Sequence, residues 1–444
     1  MELRDFIVTP LLLMAIYFIA YVIRPKVTDS ITRVYFFPAL TLKIIGAIAI
    51  GLLYQFYYGG GDTFVFHTFG SRIIWEAFTD SPLVGLKLIF ADRSSQEGIY
   101  AYSSKIEFFR DTQSYNVVRI SALFDLITFS TYSATAVLFS VFSFTGMWMF
   151  FLTFYKQHPK LHRGLALAAL FIPSVAIWGS GIFKDTLTLG CLGIATYYLH
   201  IIFFERKISV IRIILLLLSL YIIYCIKIFI LQAFIPAAAV WIIANKFGSI
   251  PWLVLKIMLV PFVILIMLGS GYFAFKKVGE NDPKYSVENI AQTAKVTAYD
   301  IRYWSGRDAG SGYSLGELDG TFASIVKLSP QAINVSLFRP YLWEVRNPLM
   351  LLSALESLVF MLLTIYVLIK ARHTLFQALT DPNVLFLLIF SLTFAFAVGV
   401  STFNFGTLAR YKIPLLPFYA LALVYILNYK NRDKKVDVLE AMEY

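Results

Sequence analysis

Apolar residues occur along this chain in uninterrupted blocks, separated by shorter polar, basic or glycine-rich stretches. The blocks run about 17–25 residues, the length a helix needs to cross a ~30 Å hydrocarbon core. In lipid only helices or closed barrels satisfy every backbone group, and continuous blocks without strand-like alternation predict helices. The pattern therefore predicts an all-α, polytopic transmembrane helix bundle of about eleven spans. They fall near residues 6–23, 37–57, 134–155, 165–178, 186–204, 210–226, 228–244, 252–275, 348–369, 384–402 and 413–427. Spans four and five read as a hairpin around residues 179–185, and spans six and seven as a hairpin around Lys227.

Basic residues give the bundle a direction. Arg24/Lys26, Lys156/Lys160/Arg163, Arg206/Lys207, Lys246, Lys370/Arg372 and Lys430/Arg432/Lys434/Lys435 follow alternate spans. The positive-inside rule makes those loops cytoplasmic, with the N-terminus outside and the C-terminus inside. The whole chain, 1–444, then reads as a single integral membrane domain. Residues 59–133 form a large outer loop, whose amphipathic stretches 68–78 and 117–129 predict helices lying in the interface. Residues 276–347 form an outer cap or lid, and 428–444 a cytoplasmic tail.

Composition agrees with this class. Hydrophobic residues make up 59% of the chain and charged residues 15%, against roughly 25% charged in soluble domains. The net charge of +11 follows from loop topology; no basic, aromatic-bearing soluble domain points to nucleic acid. Cys191 and Cys225 both lie in apolar blocks and read as buried small residues. The first block has neither a basic n-region nor a small-residue cleavage site, so no cleavable signal peptide is expected.

Candidate chemistry gathers on the side assigned as outer. Tyr57-Tyr58-Gly59-Gly60-Gly61-Asp62-Thr63-Phe64-Val65-Phe66-His67 places an acid and a histidine at a membrane exit, behind three glycines that let the backbone turn sharply. Lys184 and Asp185, Lys227, Arg302 and Arg307, Arg339, Glu344 and Arg346, and Arg410 and Lys412 share that side, and Glu356 lies in the outer half of span nine. Ionisable groups at membrane depth line cavities or pair with each other. Lys184-Asp185 also reads as a local ion pair, Arg410 and Lys412 as snorkelling residues, and His67 as an ordinary interfacial histidine. Fixed cations beside one carboxylate suit a lipid phosphate or pyrophosphate, with the acid activating an acceptor hydroxyl. No His-Glu-x-x-His spacing and no phosphate loop occurs.

In its topology and in three short stretches the chain resembles the GT-C superfamily of polyprenyl-phosphate-sugar glycosyltransferases. Gly61-Asp62-Thr63-Phe64-Val65-Phe66-His67 occupies the place of that family's acidic residue in the first large extracytoplasmic loop. Arg410-Tyr411-Lys412-Ile413-Pro414 looks like the ending of many envelope-sugar membrane proteins, and Gly181-Ile182-Phe183-Lys184-Asp185 is similar to a hairpin tip in O-antigen and exopolysaccharide polymerases. One extra span precedes Asp62, and Thr63 stands where the family often has a second acid. The resemblance implies a multi-pass protein of the bacterial cytoplasmic (inner) membrane that moves a sugar from a polyprenyl-phosphate donor to a glycan or lipid acceptor. It implies Asp62 and His67 as catalytic, and Lys184, Asp185, Lys227, Arg339, Arg410 and Lys412 as substrate- or phosphate-binding. Membrane lipids are the surroundings. The resemblance fixes no cofactor and leaves a divalent cation open. Two other readings stay open: a repeat-unit polymerase or ligase using a pyrophosphate-linked oligosaccharide, and a non-catalytic transporter or envelope-complex scaffold.

Overall fold

A computed structural model describes residues 2–92, 97–247, 327–402 and 404–429, together with Val296, Tyr299, Gly312, Tyr313 and Leu315. The expected span at 252–275, Arg302, Arg307, most of the 276–347 segment and nearly all of the tail lie outside the described residues. Those described are helical, with one isolated bridge between Gly312 and Asn404.

Among the described residues, seven helices are long and apolar enough to cross a membrane, or eight if one bent pair forms a single span. The protein is thus a multi-pass helical bundle. The helices are α1 (Leu3–Val27), α2 (Arg33–Leu52, continued by a π-helical turn, Leu53–Tyr57), α3 (Asp62–Phe66), α4 (Arg72–Asp80), α5 (Pro82–Phe90), α6 (Tyr100–Ser103) and α7 (Thr112–Thr128). After them come α8 (Tyr132–Tyr155), α9 (His162–Leu170), α10 (Pro173–Trp178), α11 (Lys184–Phe203) and α12 (Val210–Phe247). The last are α13 (Ser329–Phe338), α14 (Pro348–Lys370), α15 (Leu375–Ala378), α16 (Pro382–Thr402), α17 (Phe405–Tyr411) and α18 (Leu415–Leu427).

Four expected spans come out differently. The fourth is two short helices, α9 and α10, because Pro173 cannot donate into a continuous ladder and starts a new helix instead. The sixth and seventh are the two parts of α12, which meet at a kink where Lys227 leaves helical dihedrals (φ −147°, ψ 79°) with no separate loop between them. The eleventh is the bent pair α17 and α18, which meet at 66°. By contrast, α7 covers the 117–129 stretch without being among the span-length helices. Asp111 caps its start by accepting from the Gln113 amide, and Phe129 ends it in the left-handed region.

The described chain forms two compact units, residues 1–153 with 170–228, and 154–169 with 229–444. In the first, α7 is central: Val117, Val118 and Ala122 pack with Ile73, Ile74 and Ala77 of α4, Phe139 of α8 and Leu187 of α11. A Cβ at Gly146 on α8 would overlap the Gly190 carbonyl, and one at Gly193 the Gly146 carbonyl. Backbone-to-backbone contact of this kind is how small residues join helices in membranes. In the second unit, Phe386, Phe390 and Phe394 of α16 stack in a column with Trp241, Phe418 and Phe229. Gly399 lets α16 close on the Ala332 carbonyl of α13.

Candidate functional site

The glycine turn ahead of Asp62 uses the freedom its sequence offers. Gly59, Gly60 and Gly61 have φ of +70°, +140° and +128°, conformations that side chains resist. At Gly59 and Gly60 an added Cβ would meet nothing within 4 Å; at Gly61 it would press on the Tyr54 ring. The chain then enters α3 with Asp62 as its first residue, half-buried. An acid there is favoured by the positive end of the helix.

Tyr132 anchors the helix from below. Its hydroxyl shares a 2.8 Å hydrogen bond with Thr63, its ring stacks on Phe64 at 4.5 Å, and His67 meets the ring edge-on at 5.5 Å. His67 itself is fully buried, with Nε2 3.4 Å from Asp125 Oδ1. Neither of its ring nitrogens makes a hydrogen bond among the described residues. Asp125, equally buried, accepts from Ser71 and Thr135 at 2.6 Å each. This is an interior polar knot tying the α3–α4 segment to α7 and α8. His67 is an interior residue of the protein, turned inward with the apolar side chains that follow Asp62.

The second cluster lies at the start of α11. Lys184 and Asp185 are neighbours in the chain, and each meets a carboxylate or cation from another helix. The Lys184 ammonium lies 3.5 Å from the Asp111 carboxylate at the cap of α7, whereas Asp185 is ion-paired and hydrogen-bonded to Lys227 of α12. Successive helical residues point about 100° apart, so each finds a different neighbour. Burial pushes the Asp111 carboxyl up, but Lys184 and hydrogen bonds from Ser114 and Gln113 outweigh it and hold it below its ordinary value. Asp185 and Lys227 are both buried, and Lys184 is half-buried.

Tyr54 links the two clusters. Its ring lies against Gly61, next to Asp62, and 5.5 Å from the ring of Phe183, next to Lys184. It belongs to one stripe of the second span, Lys43, Gly46, Ile50 and Tyr54, at helical spacing. An added Cβ at Gly46 would overlap the Ala176 carbonyl, and one at Gly181 would touch Ile50. Lys43 is buried within α2 and donates to Ser143 Oγ (3.2 Å) and to the carbonyls of Val175 and Gly179 (2.9 Å each). Lys43, Asp111 and Asp125 are not among the candidates that the sequence pattern singles out. A lysine in the middle of an apolar span was a visible signal for the first; nothing in the sequence pointed to the other two as partners.

The remaining candidates belong to the second unit. Lys412, buried at the bend between α17 and α18, donates to Ser357 Oγ at 3.0 Å and to the Arg339 carbonyl at 3.4 Å. It is a bend clamp, not the snorkelling residue of the sequence reading. Arg339 is ion-paired with Glu344 and lies over the rings of Tyr313, Tyr341 and Phe405 at 5.6, 5.8 and 5.2 Å. Burial pushes the Glu344 carboxyl up, but the Arg339 guanidinium and the Tyr341 amide hold it below its ordinary value. Arg410, half-buried, lies 5.5 Å from the Tyr411 ring. Among the described residues no group of three or more His, Cys, Asp or Glu side chains is placed to hold a metal ion. The chain matches no protein-family model, no curated protein and no solved structure.

Proposed function

We propose that this protein is a membrane glycosyltransferase that moves a sugar from a polyprenyl-phosphate donor to an envelope glycan or lipid acceptor. Asp62 is the general base that takes the proton of the acceptor hydroxyl. Lys184 is the cation that steadies negative charge on the departing lipid phosphate. The observation that supports this most is the convergence of the Asp62 turn and the Lys184 helix start on the Tyr54 ring. An acid and a cation, both half-buried, are thereby presented on two adjoining turns. Asp185 and Lys227 contribute by neutralising each other behind Lys184, and His67 supports α3 from the interior. Arg339 and Arg410 are candidate phosphate contacts of their own unit.

The test is mass spectrometry of the lipid-linked saccharide pool in a deletion strain carrying either wild-type protein or Asp62→Asn. Accumulation of a carrier-linked sugar donor with Asp62→Asn supports the transferase. Accumulation of complete single repeats identifies a polymerase instead.

One observation favours a second reading, transport. The break after α10 and the bend before α18 are each held by a buried lysine, Lys43 and Lys412. Interrupted helices with compensated ends are the devices by which transporters line a central site. A pool unchanged even in the full deletion would favour this reading over any envelope-sugar enzyme.

A further inference from the structure

The stripe on the second span follows the end of α10 and the turn after it step by step. Lys43 reaches Gly179, Gly46 lies under Ala176, Ile50 adjoins Gly181, and Tyr54 meets Phe183. The next two residues are Lys184 and Asp185.

The turn needs outside support. The last carbonyls of a helix have no partner within it, and α10 is only six residues long. Some are satisfied locally: Ser180 donates its hydroxyl to Ala176 O (2.5 Å) and its amide to Ile177 O (3.2 Å). Farther on, Thr186 Oγ1 donates to Gly181 O at 2.7 Å. The Gly179 carbonyl is met by the Lys43 ammonium, which also shares Val175 O with the Gly179 amide. A lysine has three donors, and here each has an acceptor. The Asp185 carboxylate, in the first turn of α11, faces the positive end of that helix.

We propose that Lys43 is a positioning residue: from α2 it clamps the end of α10 and so fixes where the 179–185 turn presents Lys184 and Asp185. The proposal rests on the transferase reading for what that turn does, but not for the clamp itself. Lys43 touches no substrate in this account. It acts through Gly179, and the rest of the stripe carries the alignment on to Phe183.

The native cysteines test it without any substrate. Cys191 is buried on α11, two turns from Lys184, and Cys225 is half-buried on α12. Maleimide labelling of both would be followed in the full-length protein in detergent, for wild type, Lys43→Met and Lys43→Arg. The clamp predicts that Lys43→Met speeds labelling of Cys191 at least about ten-fold, with Cys225 nearly unchanged. Lys43→Arg, which keeps the charge and the donors, restores most of the protection. If Lys43→Met gives no folded protein, Lys43→Gln takes its place with the same expected direction. Unchanged Cys191 labelling overturns the proposal, as does a parallel rise at both cysteines, which means general loosening. The sugar-transfer assay is a separate readout, so its failure leaves the labelling result intact and the two ideas fall independently.

Discussion

Lys227 donates to the Asp185 carboxylate in the interior of the first unit, and each closes off the other's charge from its surroundings. Lys227 is also the one residue of α12 outside helical dihedrals. The pair therefore joins the start of α11 to the break in α12. Removing one partner leaves a buried charge uncompensated, which costs about 3–5 kcal/mol. Asp185→Asn and Lys227→Met should each lower the thermal unfolding temperature in detergent sharply. The double variant should recover much of the loss. A double variant as unstable as the sum of the singles would contradict the pairing.

The Asp111 carboxyl is held below its ordinary value, so its contribution to stability has a definite sign with pH. The contribution is present above the unfolded value, near pH 4, and is lost as pH falls through the lower folded value. Wild type should therefore be more stable than Asp111→Asn at neutral pH, with the gap closing on acidification. In a Lys184→Met background, the gap at neutral pH should be smaller and should finish closing at a higher pH. Thermal melts of the four proteins across pH 3–7 would show whether the closing point moves.

The Gly61 turn admits a narrow substitution test. A side chain at φ +128° is strained, and here it would also press on Tyr54. Gly61→Ala should cost about 1–3 kcal/mol. Gly59→Ala, with open space around its Cβ but also a left-handed φ, should cost no more than the backbone strain. Equal melting temperatures for the two variants would show that Tyr54 yields freely and that the turn does not depend on it.

Tyr132→Phe removes one hydroxyl and leaves the buried Thr63 hydroxyl without its partner, a loss of about 1–3 kcal/mol. The Thr63→Val/Tyr132→Phe double variant should cost less than the two singles added together. Strict additivity would argue that the bond contributes nothing to holding α3.

What could be read from the sequence was set by length and apolarity. The spans at 6–23, 37–57, 134–155, 186–204, 348–369 and 384–402 correspond to helices because an apolar block of that length has few alternatives. The interruptions were harder to read. A single proline, Pro173, divides one expected span, while the break between the sixth and seventh comes down to a kink at a single charged residue, Lys227. The candidate site was legible as residue types and not as partners. Lys184, Asp185 and Lys227 stood out as charges among apolar residues. Which carboxylate each cation meets depends on contacts such as Lys43 to Gly179, 136 positions apart in the chain, and Lys227 to Asp185, 42 apart. The surroundings of His67 were illegible for the same reason: its neighbour Asp125 is brought to it by the fold of α7.

The most direct measurement is sugar transfer by the purified protein in proteoliposomes supplied with a radiolabelled polyprenyl-phosphate sugar and a lipid extract containing acceptors. The account predicts that wild type forms a labelled product, and that Asp62→Asn lowers the rate by about two to four orders of magnitude while its melting temperature is unchanged. Equal rates for wild type and a folded Asp62→Asn protein would contradict it.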